Sequence, residues 1–174
     1  TPRFWEISSA DDLDQDIDFP VVIKPAMESD SYGLKVVRNM EDLKEAVNYI
    51  SDRVSGFIFA EEFIKGRELT ISIIGNGDDL ECFPLIEINL DDESGGMYTI
   101  ENKRNVKDKL VPDDISTKTL KAIENDAKRL FGILRIRDYA RVDLRMDKEE
   151  NFYFLEVNSM ASLGPPGSFA TAAG

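Results

Sequence analysis

The stretch ARVDLRMDKEENFYFLEVN, from Ala140 to Asn158, limits what this chain can fold into more than any other. Two runs of alternating apolar residues flank KEEN, so the segment predicts an antiparallel hairpin with KEEN as its loop and Asp147 facing Phe152. That pairing sets Asp143 opposite Glu156 and Arg141 opposite Asn158, and alternation puts all four side chains on one face. Val142, Leu144 and Met146, opposite Val157, Leu155 and Tyr153, make the other face. That face is apolar and calls for a helix against it, the one expected over residues 116–131. Two facing carboxylates repel, so their juxtaposition raises a pKa or demands a cation. Asp, Glu and Asn at this spacing offer an oxygen shell suited to Mg²⁺, which is commonly completed by substrate phosphates and so implies a nucleotide. A solvated hairpin face of mixed charge is the alternative.

The composition narrows the chemistry further. The chain has no histidine and one cysteine, Cys82, which excludes Ser-His-Asp and Cys-His nucleophile systems and the usual zinc sites. Any metal then has oxygen ligands from the protein, which favours Mg²⁺, Mn²⁺ or Ca²⁺. The net charge of -13, from 34 acids against 21 bases, argues against nucleic acid as a partner. The apolar runs are too short to span a bilayer, no leader sequence opens the chain, and a lone cysteine makes no internal disulfide. A cytoplasmic location, away from membranes, is the expectation. The ends, TPRFWEI and FATAAG, read as cuts within a longer protein.

Along the 174 residues, the acidic connector SSADDLDQDID leads into a buried strand FPVVIKPA, a polar loop MESDSYG and a second strand LKVVR. Asn39 caps a helix over MEDLKEAVNYISDRV, whose apolar residues fall at helical spacing, and Gly56 closes it. The strand FIFAEEFI, the turn KGR, and two strands ELTISIIGN and LECFPLIEINL joined by GNGDD follow. Asp91 to Lys109 reads as a long loop. DDISTKTLKAIENDAKRLFG reads as a helix with acids leading, bases late and Gly132 at its C-cap. The order predicts two α+β lobes meeting near residues 61–68.

Lys24 lies inside an apolar strand, where it needs an anion or must snorkel at an edge. The loop after it ends in Gly33 and can present backbone N–H groups to phosphate, although no GxxxxGK[ST] is present. In AEEFIKGRELT the backbone could pair with a flat heterocycle and Glu68 could reach ribose hydroxyls; an ordinary hairpin with exposed acids is the other reading. Lys103 could add a phosphate contact or be a surface lysine.

These segments in this order resemble the ATP-grasp superfamily, and within it the D-alanine–D-alanine ligase branch, from about Phe19 to Phe169. The resemblance implies an α+β ATP-grasp fold: two α+β lobes with antiparallel sheets enclosing a nucleotide cleft. Residues 1–18 would be a connector from a further N-terminal domain, 19–64 the smaller lobe with its phosphate-covering loop, and 65–174 the larger lobe with the metal site. It implies ATP with Mg²⁺, or Mn²⁺ in its place. Lys24 and Lys103 would contact phosphates, and Glu61, Glu62, Phe63 and Ile64 would line the adenine, mainly through backbone. Glu68 would bind ribose; Asp143, Glu156 and Asn158 would hold metal; Arg141 would steady the acyl phosphate and tetrahedral intermediate; Ser31 and Ser168 would meet substrate. The implied activity joins a small carboxylate to an amine, both amino acids or short peptides, through an acyl phosphate, and the family allows a homodimer. A small-molecule kinase or a non-catalytic nucleotide-binding module are the alternatives. The chain departs from the family's habit at Ser29-Asp30, where Gly then Ser is usual. It also departs at Ala161-Ser162, where Pro-Gly is usual, at Asp138, where a small residue is usual, and at Arg145, where an apolar one is.

Overall fold

A computed structural model describes residues 1–10, 13, 16–26, 34–88, the backbone of 108–110, 114–165 and 167–173. The described residues fall into two compact units, one within Thr1–Ile64 and one from Lys65 onward. Residues 27–33, expected to cover phosphates and including Ser31, the segment 89–107 with Lys103, and the position after Pro165 lie outside the described residues.

In the first unit, strands β1 (Phe4–Ile7), β2 (Val21–Pro25), β3 (Lys35–Val37) and β4 (Ile58–Glu62) form an antiparallel sheet in the order β1-β4-β2-β3. Residues 4–7 therefore belong to this sheet rather than to a connector. Their alternation buries Trp5 and Ile7 and leaves Phe4 and Glu6 outward, a pattern of period two that an acidic neighbourhood hides. Helix α1 (Met40–Ser51) buries Leu43, Ala46, Val47 and Ile50 against Ile7, Val21, Ile23, Val37, Ile58 and Ala60. Its cap is the expected one: the Asn39 side chain accepts from the Asp42 N–H at 2.9 Å. The helix stops at Ser51, short of the expected Val54, and Gly56 takes a left-handed φ of 116° beyond it.

The second unit is built on strand β5 (Arg67–Gly75), with β6 (Glu81–Cys82) and β7 (Ile86–Ile88) following it. The single strand expected over LECFPLIEINL is interrupted because Pro84 has no N–H to donate to a ladder. Asp108–Leu110, expected to be the end of a loop, is strand β8, paired with β7. Strands β9 (Asp138–Met146) and β10 (Phe152–Asn158) complete a sheet of order β10-β9-β5-β7-β8, with β6 on β5. Helix α2 (Thr117–Ile133) buries Ile123, Ala127 and Phe131 against Leu69, Ile71, Ile73, Ala140, Val142 and Leu144, the packing the hairpin's apolar face requires. Its N-cap is Ser116, whose Oγ accepts from the Thr119 N–H at 3.2 Å. Its terminal turns hold neither the leading acids nor the trailing bases expected, and Gly132 lies inside it, with Leu134 as C-cap and Arg135 at φ 53° as the left-handed residue beyond. No described helix is long and apolar enough to cross a membrane.

The hairpin loop is one residue longer than expected. Phe152 pairs with Met146, not Asp147, and the register shifts between Phe154 and Glu156, leaving Leu155 as a bulge. The loop forms because Asp147 Oδ1 accepts from the N–H groups of both Glu149 and Asn151 at 2.9 Å, and Glu150 supplies a left-handed φ of 62°. A one-residue slip would turn every later side chain to the wrong face. The bulge absorbs it, so Phe152 and Phe154 face the core while Glu156 and Asn158 keep the face expected of them.

Glu150 also ties this loop to α2. Its carboxylate accepts from Ser116 N–H (3.0 Å), Ser116 Oγ (2.6 Å) and Thr119 Oγ1 (2.6 Å). The hydroxyl of Ser116 leads these hydrogen bonds in holding its carboxyl down at about 2. A carboxyl depressed on folding stabilises the fold above its unfolded pKa of about 4.3 and loses that contribution as pH falls through the folded value. Urea midpoints of wild type and Glu150→Gln should therefore differ by a constant amount above pH 5 and converge towards pH 2. A difference that persists at pH 2 contradicts the assignment.

Candidate active site

The second sheet has one face on α2 and one polar face. On β9, Ala140, Val142, Leu144 and Met146 enter the core, which leaves Arg141, Asp143 and Arg145 on the other side. The neighbouring strand repeats the pattern: Glu68, Thr70 and Ser72 of β5 are register partners of Arg145, Asp143 and Arg141. From β10, Tyr153, Glu156 and Asn158 pair with the same three. Nine side chains thus stand in three cross-strand rows.

In the middle row Asp143 accepts three hydrogen bonds. Asp143 Oδ1 accepts from Thr70 Oγ1 and from Arg141 Nε, both at 2.7 Å, and Oδ2 accepts from Arg141 Nη2 at 2.7 Å. Arg141 is two residues before Asp143 on the same face and grips it with both arms of its fork, so the guanidinium is one answer to the cation that facing carboxylates demand. Asn158 Oδ1 accepts from the Met160 N–H at 3.0 Å, which fixes the amide at the strand's end. Thr70 was not foreseen as part of this group. The signal is the E-x-T-x-S alternation of β5, which puts three polar side chains on one face of an otherwise apolar strand.

The end row joins Glu68 to Arg145. Arg145 Nη1 lies 3.0 Å from Glu68 Oε2 and Nη2 donates to the Gly66 carbonyl at 2.9 Å, with the two side chains only 6% and 11% exposed. Burial pushes the arginine below its ordinary pKa, against the pull of Glu68. Gly66 itself must be glycine: at φ 156° a Cβ would lie 2.0 Å from the Met146 carbonyl oxygen.

Asp138, at the start of β9, has φ 70°, which explains why a small residue suits this position. Aspartate is among the few side chains that tolerate it, and a reciprocal pair with Asn76 holds it: Asn76 Nδ2 donates to Asp138 Oδ1, and the Asp138 N–H donates to Asn76 Oδ1, both at 3.1 Å. Asn76→Ala should cost about 1 kcal/mol per hydrogen bond lost, while Asp138→Gly, which loses one of those bonds but gains glycine's ease at φ 70°, should stay within about 0.5 kcal/mol of wild type. Urea denaturation of the two variants measures both; an Asp138→Gly change larger than Asn76→Ala contradicts the reading.

Ser168 opens helix α3 (Ser168–Ala173), fastened to the sheet by Phe169, whose ring meets Phe83 and Tyr139 edge-on at 5.6 Å. In the first unit, Lys24 Nζ lies 2.8 Å from Glu61 across β2 and β4, so Lys24 does have the anion its apolar strand calls for. Glu62 ends β4, and the Phe63 N–H donates to the Pro20 carbonyl at 3.1 Å. Ile64 is buried. Lys103 and Ser31 lie outside the described residues.

Among the described residues no three His, Cys, Asp or Glu side chains gather. The oxygen set at positions 143, 156 and 158 is two carboxylates and an amide. Its chemistry fits a hard divalent ion that keeps several waters and leans on phosphate, rather than one needing a full protein cage.

The same chain matches a known family across nearly its whole length. Residues 4–173 match the family model described as the D-Ala–D-Ala ligase C-terminus. The chain belongs to that family. It is 31% identical to a D-alanine–D-alanine ligase of Desulfotalea psychrophila over 88% of its length, covering 48% of that protein. With the D-alanine–D-alanine ligase of Aquifex aeolicus it shares 32% identity over 91% of its length, covering 53% of that protein. The crystal structure of D-alanine–D-alanine ligase from Bacillus anthracis complexed with ATP superposes with a TM-score of 0.79 at 22% identity, over 99% of this chain and 54% of that one. The fold is therefore the ATP-grasp fold of these ligases, α+β with antiparallel sheets. The chain spans about half the length of the curated relatives it matches.

Proposed function

We propose that the protein carrying this chain is a Mg²⁺- and ATP-dependent carboxylate–amine ligase of the D-alanine–D-alanine type. The observation that carries this reading is the polar face of the second sheet, with Asp143 paired to Glu156 and Arg141 to Asn158, in a chain of this ligase family. In the reaction, a substrate carboxylate oxygen attacks the γ-phosphorus of ATP and ADP leaves, giving an acyl phosphate. The amine nitrogen of the second substrate then attacks the acyl carbon. The tetrahedral intermediate expels inorganic phosphate, a proton leaves the nitrogen, and an amide bond remains.

Each residue's part follows from its chemistry. Asp143, Glu156 and Asn158 would hold Mg²⁺, or Mn²⁺, through oxygen. When bound, the ion neutralises phosphate charge and polarises the transferring group. Arg141 presents paired donors on a planar guanidinium. It would share its hold between Asp143 and the oxygens on which charge develops, the kind of fixed electrostatic contribution that dominates phosphoryl transfer. Lys24 would exchange Glu61 for phosphate, joined by Lys103. Glu61, Glu62, Phe63 and Ile64 would line adenine, and Glu68 would accept from ribose hydroxyls. Residues 27–33 would cover the phosphates and keep water from the acyl phosphate, and Ser31 and Ser168 would orient the amino-acid substrates. Within this reading, 19–64 serves as the smaller lobe and 65–174 as the larger.

The test is isotopic. The intact protein is incubated with ATP, Mg²⁺ and a panel of D- and L-amino acids labelled with ¹⁸O in the carboxylate. The ligase reading requires ADP, a condensed product, and one ¹⁸O in inorganic phosphate for each bond formed. ADP with a stable phosphorylated product and no condensation would make the protein a kinase instead, and no ADP release with any pair would contradict catalysis.

A further inference from the structure

We propose that Arg145 is a positioning residue for nucleotide recognition: it fixes the Glu68 carboxylate in one orientation, and through Glu68 it sets how strongly the protein selects ribose hydroxyls on its nucleotide. This rests on the nucleotide reading above and adds to it a residue at a position where the resemblance leads one to expect an apolar side chain.

The geometry is that of a clamp. Arg145 stands two positions beyond Asp143 on the same face of β9, with Glu68 as its register partner on β5. One arm of its fork reaches Glu68 Oε2 at 3.0 Å and the other reaches the Gly66 carbonyl at 2.9 Å. The Gly66 end is backbone, packed so close against the Met146 carbonyl that no side chain fits between them. A fork anchored on fixed backbone at one end holds the carboxylate at its other end. Lysine, a single point charge, cannot reproduce that hold on both groups.

Charge and burial point the same way. The Glu68 side chain is only 11% exposed, and the 3.0 Å contact from Arg145 gives one of its oxygens a charged donor in that enclosed place. A buried ion pair seldom stabilises a fold more than two well-packed apolar side chains would, and an apolar residue is what the resemblance predicts at position 145. Stability therefore does not account for an arginine here, whereas an orientationally fixed acceptor next to the row of Asp143 does. A hydroxyl hydrogen-bonded to such an acceptor corresponds to roughly 10- to 100-fold in affinity.

The experiment is calorimetric titration of the intact protein, with Mg²⁺, using ATP, 2′-deoxy-ATP and 3′-deoxy-ATP. The parent protein should favour ATP over at least one deoxy analogue by about tenfold or more. In Arg145→Lys and Arg145→Met that preference should fall to within about threefold, with most of the loss in ATP affinity and little in the affinity for the deoxy analogue. Circular dichroism checks that each variant is folded, and Arg145→Lys, which retains the positive charge beside Glu68, decides the matter if Arg145→Met is not. Equal weakening of all three nucleotides would make Arg145 merely structural and overturn the proposal. ATP bound by the parent without preference over either analogue would overturn it while leaving the nucleotide reading standing. No nucleotide binding by the parent would overturn both.

Discussion

Replacing Arg145 with alanine is expected to lower the stability of the unit beginning at Lys65 by about 3–5 kcal/mol. The change takes the Arg145 guanidinium from Glu68, whose side chain is 11% exposed, and removes a donor from the Gly66 carbonyl. Removing both charges together is a different matter. Arg145→Met with Glu68→Leu trades a buried ion pair for apolar contact and should lie near wild type in stability, because desolvation cancels most of what an ion pair contributes. Urea denaturation of the two variants, with hydrogen exchange at the β5 and β9 amides assigning the loss to this unit, separates the cases. A single variant no less stable than the double one would mean that Glu68 is not held by Arg145.

The largest catalytic effect is expected at Arg141. Arg141→Met should lower kcat by about 10²–10³, the usual cost of removing one fixed charge or donor from a developing anion, with the KM for ATP changed by no more than about threefold. The side chain touches Asp143 through two 2.7 Å hydrogen bonds, so some of the loss could come through Asp143. Arg141→Lys keeps the charge and loses the fork, and should recover only part of the rate. A KM that rises while kcat holds would make Arg141 a binding residue and remove it from the chemistry.

Much of this was legible in the sequence because β-structure has a period of two. Alternation alone placed Arg141, Asp143, Glu156 and Asn158 on one face and Val142 and Leu144 on α2. The same reading misplaced the loop end by one residue, because nothing in FYFLEVN marks Leu155 as a bulge. Bulges answer to the twist and register of the whole hairpin, not to a local residue preference. Thr70 was missed for a related reason: in the sequence it reads as a good strand former, and only its partner Asp143, 73 residues away, reveals its hydroxyl as part of the group. Gly132 misled in the opposite sense, since the helix ran through it and stopped where Arg135 could turn left-handed. Arg145 was visible as an oddity. Its meaning needed the cross-strand pairing that seats it on Glu68.

The measurement that bears most directly on the account is calorimetric titration of the intact protein with a non-hydrolysable ATP analogue, first with Mg²⁺ and then with EDTA, repeated for Asn158→Ala. Binding should depend on Mg²⁺ and weaken at least about tenfold in the variant, with the fold unchanged. Affinity that is the same in EDTA and untouched by Asn158→Ala would contradict a metal–nucleotide site on this face of the sheet.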